Sequence, residues 1–290
     1  MQLLVNIVVL TATYALISCG YVLIYRVSRV LNLAHGALMM LGAYLLLSTA
    51  LVFHGNPVLS LLMAAALSLV VGILVYVFLM HRMTGQSVLA AVLATIALSI
   101  MLRGGIALVW SAQSRQPIQH LGVSNPTIAI LGAAHTSACS LLLVAVAGVV
   151  YALLFLFMRF SRWGLRMRAV GQAPLLAAQR GISIHGIYAL AWALSAFTGA
   201  AAGVLLSLNS GLDSTMALVG LQAFPAALVG GLDSLGGALA GSLIVAVTEV
   251  LLIHYVDPLL SSAAPFLVLI VMLVIRPWGL FGTQEQLDRV

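Results

Sequence analysis

Two ionisable side chains other than histidine stand deep inside long apolar stretches of the sequence, Arg103 and Glu249. Each comes a few residues before the end of its stretch, which places it ~8–11 Å inside that end at the helical rise of ~1.5 Å per residue. An unpaired charge in apolar surroundings costs about 3 kcal/mol or more. We therefore expect the two side chains either to pair with each other, which is the simpler structural role, or to line the outer part of a water-filled pathway.

Other residue types that carry out chemistry are missing or scattered. The chain has no lysine, and a phosphate-binding loop of the form GxxxxGK[ST] needs a lysine to reach the β and γ phosphates. We therefore predict no bound cofactor, and any ATP must be bound by a partner subunit. The seven histidines include no pair spaced four residues apart, so no metal site is predicted. Paired acids and a Ser/His dyad are also missing from the apolar stretches, so no enzyme is predicted.

The composition indicates the surroundings of the chain. Hydrophobic residues make up 63% of the 290 residues and charged residues only 6%, whereas an average soluble domain is about 25% charged. So few charges cannot cover a core of this size in water, but lipid tolerates such a surface. We predict an all-α polytopic membrane protein, a single transmembrane domain over residues 1–290, with about eight or nine transmembrane helices.

The predicted spans are stretches of about 20 apolar residues, the length that crosses the ~30 Å hydrocarbon core. They are 4–25, 30–53, 58–80, 88–110, 137–158, 186–208, 216–232, 234–254 and 263–275. The last three are short or rich in Gly and Pro. Gly220, Pro225, Gly230 and Gly231 predict that 216–254 contains a broken or re-entrant segment, which a membrane tolerates where protein shields it or a wet cavity adjoins it.

The arginines predict the orientation of these spans. If the spans alternate, ten of the twelve arginines fall on one side, and only Arg115 falls on the other. The ten are Arg26, Arg29, Arg82, Arg159, Arg162, Arg166, Arg168, Arg180, Arg276 and Arg289. Positive loops stay in the cytoplasm, so we predict a protein of the cytoplasmic (inner) membrane with its N-terminus outside and its C-terminus inside. The net charge of +6 is a topology signal on this interpretation, and no nucleic-acid partner is predicted.

The large cytoplasmic loop, 159–185, contains the pattern of a short helix. Pro174 suits a first helical turn, Leu175, Leu176, Ala177 and Ala178 continue it, and Gly181 can end it. Basic residues on both sides would hold the helix along the membrane surface. It is either an interfacial helix without a partner or a docking element. The main outer loop is 111–136, which contains Pro117 and Pro126.

Two further patterns concern packing. His35 follows Asn32 near the cytoplasmic end of the second span, where it is either a packed histidine or an element of a gate. Small residues recur at every fourth position of the sixth span. They are Ser195, Gly199, Gly203 and Ser207. Such a stripe favours close approach of helix backbones.

Four stretches together resemble one known family. The first is Asn32-Leu-Ala-His35-Gly36, followed by Leu41-Gly-Ala-Tyr44. The second is Ala177-Ala178-x-x-Gly181, the third runs from Gly230-Gly231-Leu through Ser234-Leu-Gly-Gly237-Ala238, and the fourth is Arg276-Pro-x-Gly-Leu-Phe-Gly282. In this order they resemble the permeases of ABC importers for branched-chain amino acids, a family that also includes urea and short-chain amide permeases. The chain departs from the family pattern at Asp233, where glycine is usual, and before Ala177, where a charged residue is usual.

The resemblance implies a membrane subunit of an ATP-driven importer. Its partners would be two ATPase subunits docked on the loop around Ala177, Ala178 and Gly181, a second homologous permease, and an extracytoplasmic solute-binding protein. The main alternative is a stand-alone secondary carrier or channel for a small solute. That alternative needs carboxylates inside the membrane to couple ions, and Glu249 is the one candidate in the spans.

Overall fold

The computed structural model describes residues 1–54, 56–111, 113–130 and 134–282, and nearly all of its regular structure is helical. The helices are α1 (Gln2–Ser28), α2 (His35–Val52), α3 (Pro57–Val75), α4 (His81–Met83), α5 (Val88–Trp110), α6 (Pro117–His120), α7 (Ala138–Phe160), α8 (Arg162–Gln172), α9 (Pro174–Gln179), α10 (Ile184–Ser210), α11 (Met216–Gly230), α12 (Leu235–Tyr255) and α13 (Ala264–Ile275). A π-helical turn, Tyr76–Met80, joins α3 to α4, and a 3₁₀ turn, Pro258–Ala263, precedes α13.

The helices coincide with the predicted spans. Within the described residues, seven helical stretches are long and apolar enough to cross a membrane, and two apolar helices are shorter, Met216–Gly230 and Leu260–Ile275. The predicted all-α polytopic membrane fold is therefore confirmed. The short helix within 216–254 is α11, whose 15 residues extend only ~22 Å and contain Pro225. The next helix, α12, has 21 residues and is long enough to span.

Three helices form the centre of the bundle: α1, α2 and α10 are the most buried of the long spans, whereas α3, α5 and α7 expose most of their apolar side chains. Close backbone contacts join the central helices. Gly42 of α2 lies against Ala200 of α10, and Gly203 of α10 lies against the backbone carbonyl of Met39. All four residues of the small-residue stripe on α10 are buried, as the spacing predicts.

The two ends of the bundle differ in charge. At the end that we call the Arg-rich end, Arg26, Arg159 and Arg168 line one cavity with Asp233, and the Arg29 guanidinium lies 2.7 Å from the Asp233 carboxylate. Residues 83–86 share another cavity with Arg29. Four of the ten arginines predicted to share one side, Arg26, Arg29, Arg159 and Arg168, therefore lie together around Asp233, and Arg289 lies outside the described residues.

The opposite, Arg-poor end carries the predicted outer loop. A two-stranded antiparallel hairpin, β1 (Thr127–Ile130) and β2 (Ala134–Ser137), stands beside the first residues of α1, where the Gln2 amide donates to the His135 carbonyl at 2.9 Å. Arg115 forms a backbone bridge with Leu212, just beyond α10. These contacts place the start of α1, the hairpin and the end of α10 at the same end of the bundle.

The close contact at Gly203 makes a testable prediction for stability. A Cβ atom at Gly203 would collide with the Met39 carbonyl, whereas a Cβ at Gly104 on exposed α5 would meet no atom within 4 Å. We expect Gly203→Val to destabilise the protein by about 1–3 kcal/mol through overpacking and Gly104→Val to change stability by about 1 kcal/mol at most. Thermal unfolding of the two variants in the same detergent measures this, and equal midpoints would contradict the packing assigned to α2 and α10.

Candidate functional site

The loop predicted to contain one short helix contains two helices, α8 and α9. Ser161 begins α8 by accepting a hydrogen bond from the Trp163 backbone at 3.1 Å. Pro174 occupies the first turn of α9, and Gly181, with φ of +77°, allows the chain to turn beyond its end. The predicted start and end of the short helix are confirmed. Gly171 on α8 touches the backbone carbonyl of Arg26, so the α8–α9 segment packs directly on the Arg-rich end of α1.

The surface of α9 is apolar although it lies outside the spans. Leu175 is 78% exposed and Leu176 is 62% exposed, whereas Ala177 is buried against the core. Ala178 and Gly181 are exposed beside them. Adjacent exposed leucines are costly in water, so they suit either a helix lying on the membrane surface or a docking surface. We call Leu175, Leu176 and Ala178 the α9 patch.

The Asn32-Leu-Ala-His35-Gly36 motif begins in a non-helical segment, residues 29–34, inside the bundle and continues into the first turn of α2. Arg29 ends α1 in a left-handed conformation, with φ of 56°. The Leu33 backbone amide then donates to the Thr95 hydroxyl of α5 at 3.1 Å, and the Asn32 side-chain oxygen accepts from the Ala34 amide at 3.1 Å. These bonds replace the helical bonds that the backbone lacks here, as apolar surroundings require.

His35 begins α2 at the contact of three helices and is fully buried. Its ring lies against Gly20 of α1 and Gly199 of α10, two positions where only a residue without a side chain fits. Its Nδ1 is 3.3 Å from the Ser195 hydroxyl, and the Tyr21 ring packs edge-on at 4.7 Å. The structure therefore places His35 as a packed histidine in the helix core, and a role in gating stays a prediction.

The glycines of the third and fourth motifs meet at the Arg-rich end. Gly230 and Gly237 lie so close that a Cβ on either would collide with the other's backbone. The Phe281 amide donates to the Gly230 carbonyl at 3.0 Å, and Gly231, with φ of +100°, packs against Gly282. Gly36 makes a similar backbone contact with Gly220 on α11. The family-motif glycines are thus positions where two backbones touch.

Glu249 lies in a cavity of about 510 Å³ in the Arg-poor half of the bundle, lined by both polar and apolar side chains. Its carboxylate accepts a hydrogen bond of 2.6 Å from the Tyr14 hydroxyl. The amides of Asn6, Asn209 and Gln222 also line this cavity. A carboxylate that faces such a space can remain hydrated, so it does not need a protein cation as its partner.

Arg103 does not join Glu249, so the predicted pair is wrong. The Arg103 side chain is exposed on α5. Among the long helices, α5 packs mainly on α2, whereas α12, which carries Glu249, packs on α1 and α11. The two residues lie on helices with different neighbours. An arginine on the outside of a bundle can extend its long side chain towards the polar interface.

Comparison with known proteins decides the family. Residues 3–275 match the model of the family described as branched-chain amino acid transport system / permease component. The chain belongs to this permease family. The match covers the spans, the α9 patch and the Glu249 cavity.

Individual relatives of the permease span the same length. This chain is 30% identical over 299 residues to the high-affinity branched-chain amino acid transport system permease protein LivH of Salmonella typhimurium. The alignment covers 98% of this chain and 96% of the relative. The chain is 29% identical over 297 residues to BraD of Pseudomonas aeruginosa, with the same coverage. It is 27% identical over 284 residues to a probable LivH of Methanocaldococcus jannaschii.

Among solved structures, the permease is similar to PsaBC from Streptococcus pneumoniae in complex with Fab, at 14% identity. The alignment covers 95% of this chain and 91% of that one, with a TM-score of 0.46. This likeness is too distant to carry an argument.

Sequence reasoning missed the residues that share the cavity with Glu249. The signal was present in α1, where Asn6 and Tyr14 interrupt an apolar helix eight residues apart, and in α11, where Gln222 does the same. Positions eight apart fall on one face of a helix. Polar side chains on one face of an apolar span predict a wet or protein-lined surface.

The packing of His35 on Gly20 can be tested in the permease by a double-mutant cycle. We expect Gly20→Ala to destabilise, because its Cβ would enter the imidazole ring, and His35→Ala to destabilise by leaving a void. The double variant should be more stable, by about 1–3 kcal/mol in the free energy of unfolding, than the sum of the two single effects predicts. Thermal unfolding in detergent provides the measurement, and strictly additive effects would show that the two residues do not touch.

Proposed function

We propose that this permease is a membrane subunit of an ATP-driven importer that carries branched-chain amino acids, or a related small polar solute such as urea or an amide, across the cytoplasmic membrane. The observation that carries this proposal is the full-length match to relatives named as branched-chain amino acid permeases. The chain has no lysine with which to form a phosphate-binding loop, so ATP would be bound by separate subunits.

The α9 patch is the proposed contact with those ATPase subunits. The patch is short, helical and apolar, and it stands between the basic helix α8 and the start of α10. Its base is fixed, because Ala177 is buried and Gly171 packs on the end of α1. A small rigid projection with an exposed apolar tip suits insertion into a groove on a partner. Pro174, Leu175, Leu176, Ala177, Ala178 and Gly181 would together form the coupling loop.

The remaining partners follow from the same proposal. A second homologous permease would complete the membrane part of the importer. A solute-binding protein would dock on the Arg-poor end, where loop 111–136 forms the hairpin and α6. This arrangement puts the N-terminus outside and the C-terminus in the cytoplasm, in agreement with the rule that positive loops stay inside.

The function and the coupling loop can be tested together in proteoliposomes that hold the assembled importer. We expect uptake of L-leucine to require internal ATP and to be absent with a proton or sodium gradient alone. Leu175→Gln with Leu176→Gln should lower both ATPase co-purification and uptake by roughly tenfold or more, because the docking surface loses its apolar contacts.

Val52→Gln is the matched control, since Val52 is an exposed apolar side chain at the Arg-poor end of α2 and lies outside the loop proposed to dock the solute-binding protein. Normal ATPase association in the double-leucine variant would reject the coupling assignment. Uptake driven by an ion gradient without ATP would instead support the secondary carrier.

The orientation is tested by cysteine labelling after replacement of Cys19 and Cys139, which are buried. We expect Val123→Cys to react with a membrane-impermeant maleimide in intact cells and Leu175→Cys to react only in inverted vesicles, because the arginine distribution puts these residues on opposite sides. Labelling of Leu175→Cys from outside would reverse the proposed orientation.

A further inference from the structure

The Glu249 cavity has the size and the lining of a small-molecule site. Its volume of about 510 Å³ falls within the ~300–1,000 Å³ of typical ligand pockets. Five helices contribute to it: α1, α7, α10, α11 and α12. Tyr14 and Glu249 lie at its deep end, and Asn6, Asn209 and His254 stand nearer the Arg-poor surface. The cavity, which we call the funnel, therefore extends along the bundle from its Arg-poor end to a carboxylate.

The polar groups of the funnel have unused hydrogen-bonding capacity. One Glu249 oxygen accepts from Tyr14 at 2.6 Å, and no hydrogen bond to the other oxygen occurs within the described residues. The side chains of Gln222 and His254 likewise make no hydrogen bond to described parts of the chain. The Asn6 oxygen accepts from Gln2 at 3.0 Å and the Asn209 oxygen from Ser137 at 2.6 Å, which leaves the NH2 groups of both amides for a guest or for water.

The charge of the lining selects the guest. The funnel contains one carboxylate, and neither Arg103 nor any other described arginine lines it. A carboxylate in a partly buried site favours a cation that can also donate hydrogen bonds, and an ammonium group has three donors. The wall between the polar groups is apolar and includes Leu10, Leu143, Leu206 and Val219. The lining thus combines an anion for an ammonium group, amides for a carboxylate and apolar surface for an aliphatic side chain.

We propose that this funnel is a solute-binding site of the permease, in which Glu249, oriented by the Tyr14 hydroxyl, binds the ammonium group of a neutral aliphatic amino acid. The proposal rests on the proposed function and narrows it, since urea and simple amides have no ammonium group. The amides of Asn6, Asn209 and Gln222 bind the polar remainder of the solute. Solute enters from the Arg-poor end, where the binding protein would deliver it.

Protection from labelling tests this site directly. Leu3→Cys, in a chain whose Cys19 and Cys139 are replaced by alanine, puts a thiol at the funnel mouth for an impermeant thiol reagent, because Leu3 lines the funnel but is not among the groups assigned to the solute. The assembled importer in proteoliposomes is labelled with or without millimolar L-leucine, leucinamide or 4-methylpentanoate. We expect L-leucine and leucinamide, which have the ammonium group, to slow labelling, and 4-methylpentanoate, which has only the carboxylate, to leave the rate unchanged.

Substitution of the carboxylate supplies the second arm. Glu249→Gln keeps the size and the hydrogen bond to Tyr14 but removes the charge, so we expect it to raise the L-leucine concentration needed for protection by about thirtyfold or more. Glu249→Asp should retain part of the protection. Arg103→Gln is the matched control, because it also removes an intramembrane charge but lies outside the funnel. L-leucine should slow labelling in this variant as it does in the parent chain.

The outcomes separate the site from the function. Equal protection in Glu249→Gln, or protection by 4-methylpentanoate, overturns the ammonium site. If the importer takes up L-leucine but L-leucine does not slow labelling, the site is wrong and the proposed function stands. If the importer takes up urea or an amide and no amino acid, the ammonium site is overturned while the importer remains. If no ATP-driven uptake of any of these solutes occurs, the proposed function itself fails.

Discussion

In a bilayer, burying leucine does not hold helices together, because lipid tails are as apolar as leucine side chains. Association depends instead on close packing and on polar contacts between helices. The centre of this bundle shows both. Gly42 and Gly203 bring α2 and α10 into backbone contact, and the His35 ring fills the space that Gly20 and Gly199 leave open. A side chain larger than hydrogen at these glycines would force the helices apart.

The same constraint explains where the few charges lie. Asp233 pairs with Arg29 at the Arg-rich end, and Glu249 faces the funnel with Tyr14 beside it. Neither acid is left alone in hydrocarbon, where an unpaired charge would be costly. The two acids differ in what satisfies them. Asp233 has a cation of the protein, whereas Glu249 has a hydroxyl and an open space, which is why we assign ligand binding to the second and structure to the first.

Much of this architecture could be predicted from the sequence, because hydropathy fixes where each span begins and ends. The short helix α9 was also predictable, since Pro174 and Gly181 act locally. Which helices lie next to each other could not be predicted. Exposed α5 and buried α1 have equal mean hydropathy, so composition does not show which of them lies at the centre of the bundle. The expected pairing of Arg103 with Glu249 failed for this reason: depth along a helix can be read from the sequence, but the helix beside it cannot.

The position of α1 connects the two proposed sites. At its Arg-rich end the Arg26 carbonyl touches Gly171 of α8, next to the α9 patch, and nearer its other end Tyr14 bonds to Glu249 in the funnel. Between them, Gly20 is pinned against His35. A continuous helix transmits displacement along its length unless it bends, and packed contacts such as this one resist bending. One helix thus carries both the carbonyl on which α8 packs and the hydroxyl that bonds to Glu249, so the two proposed sites share a single structural element.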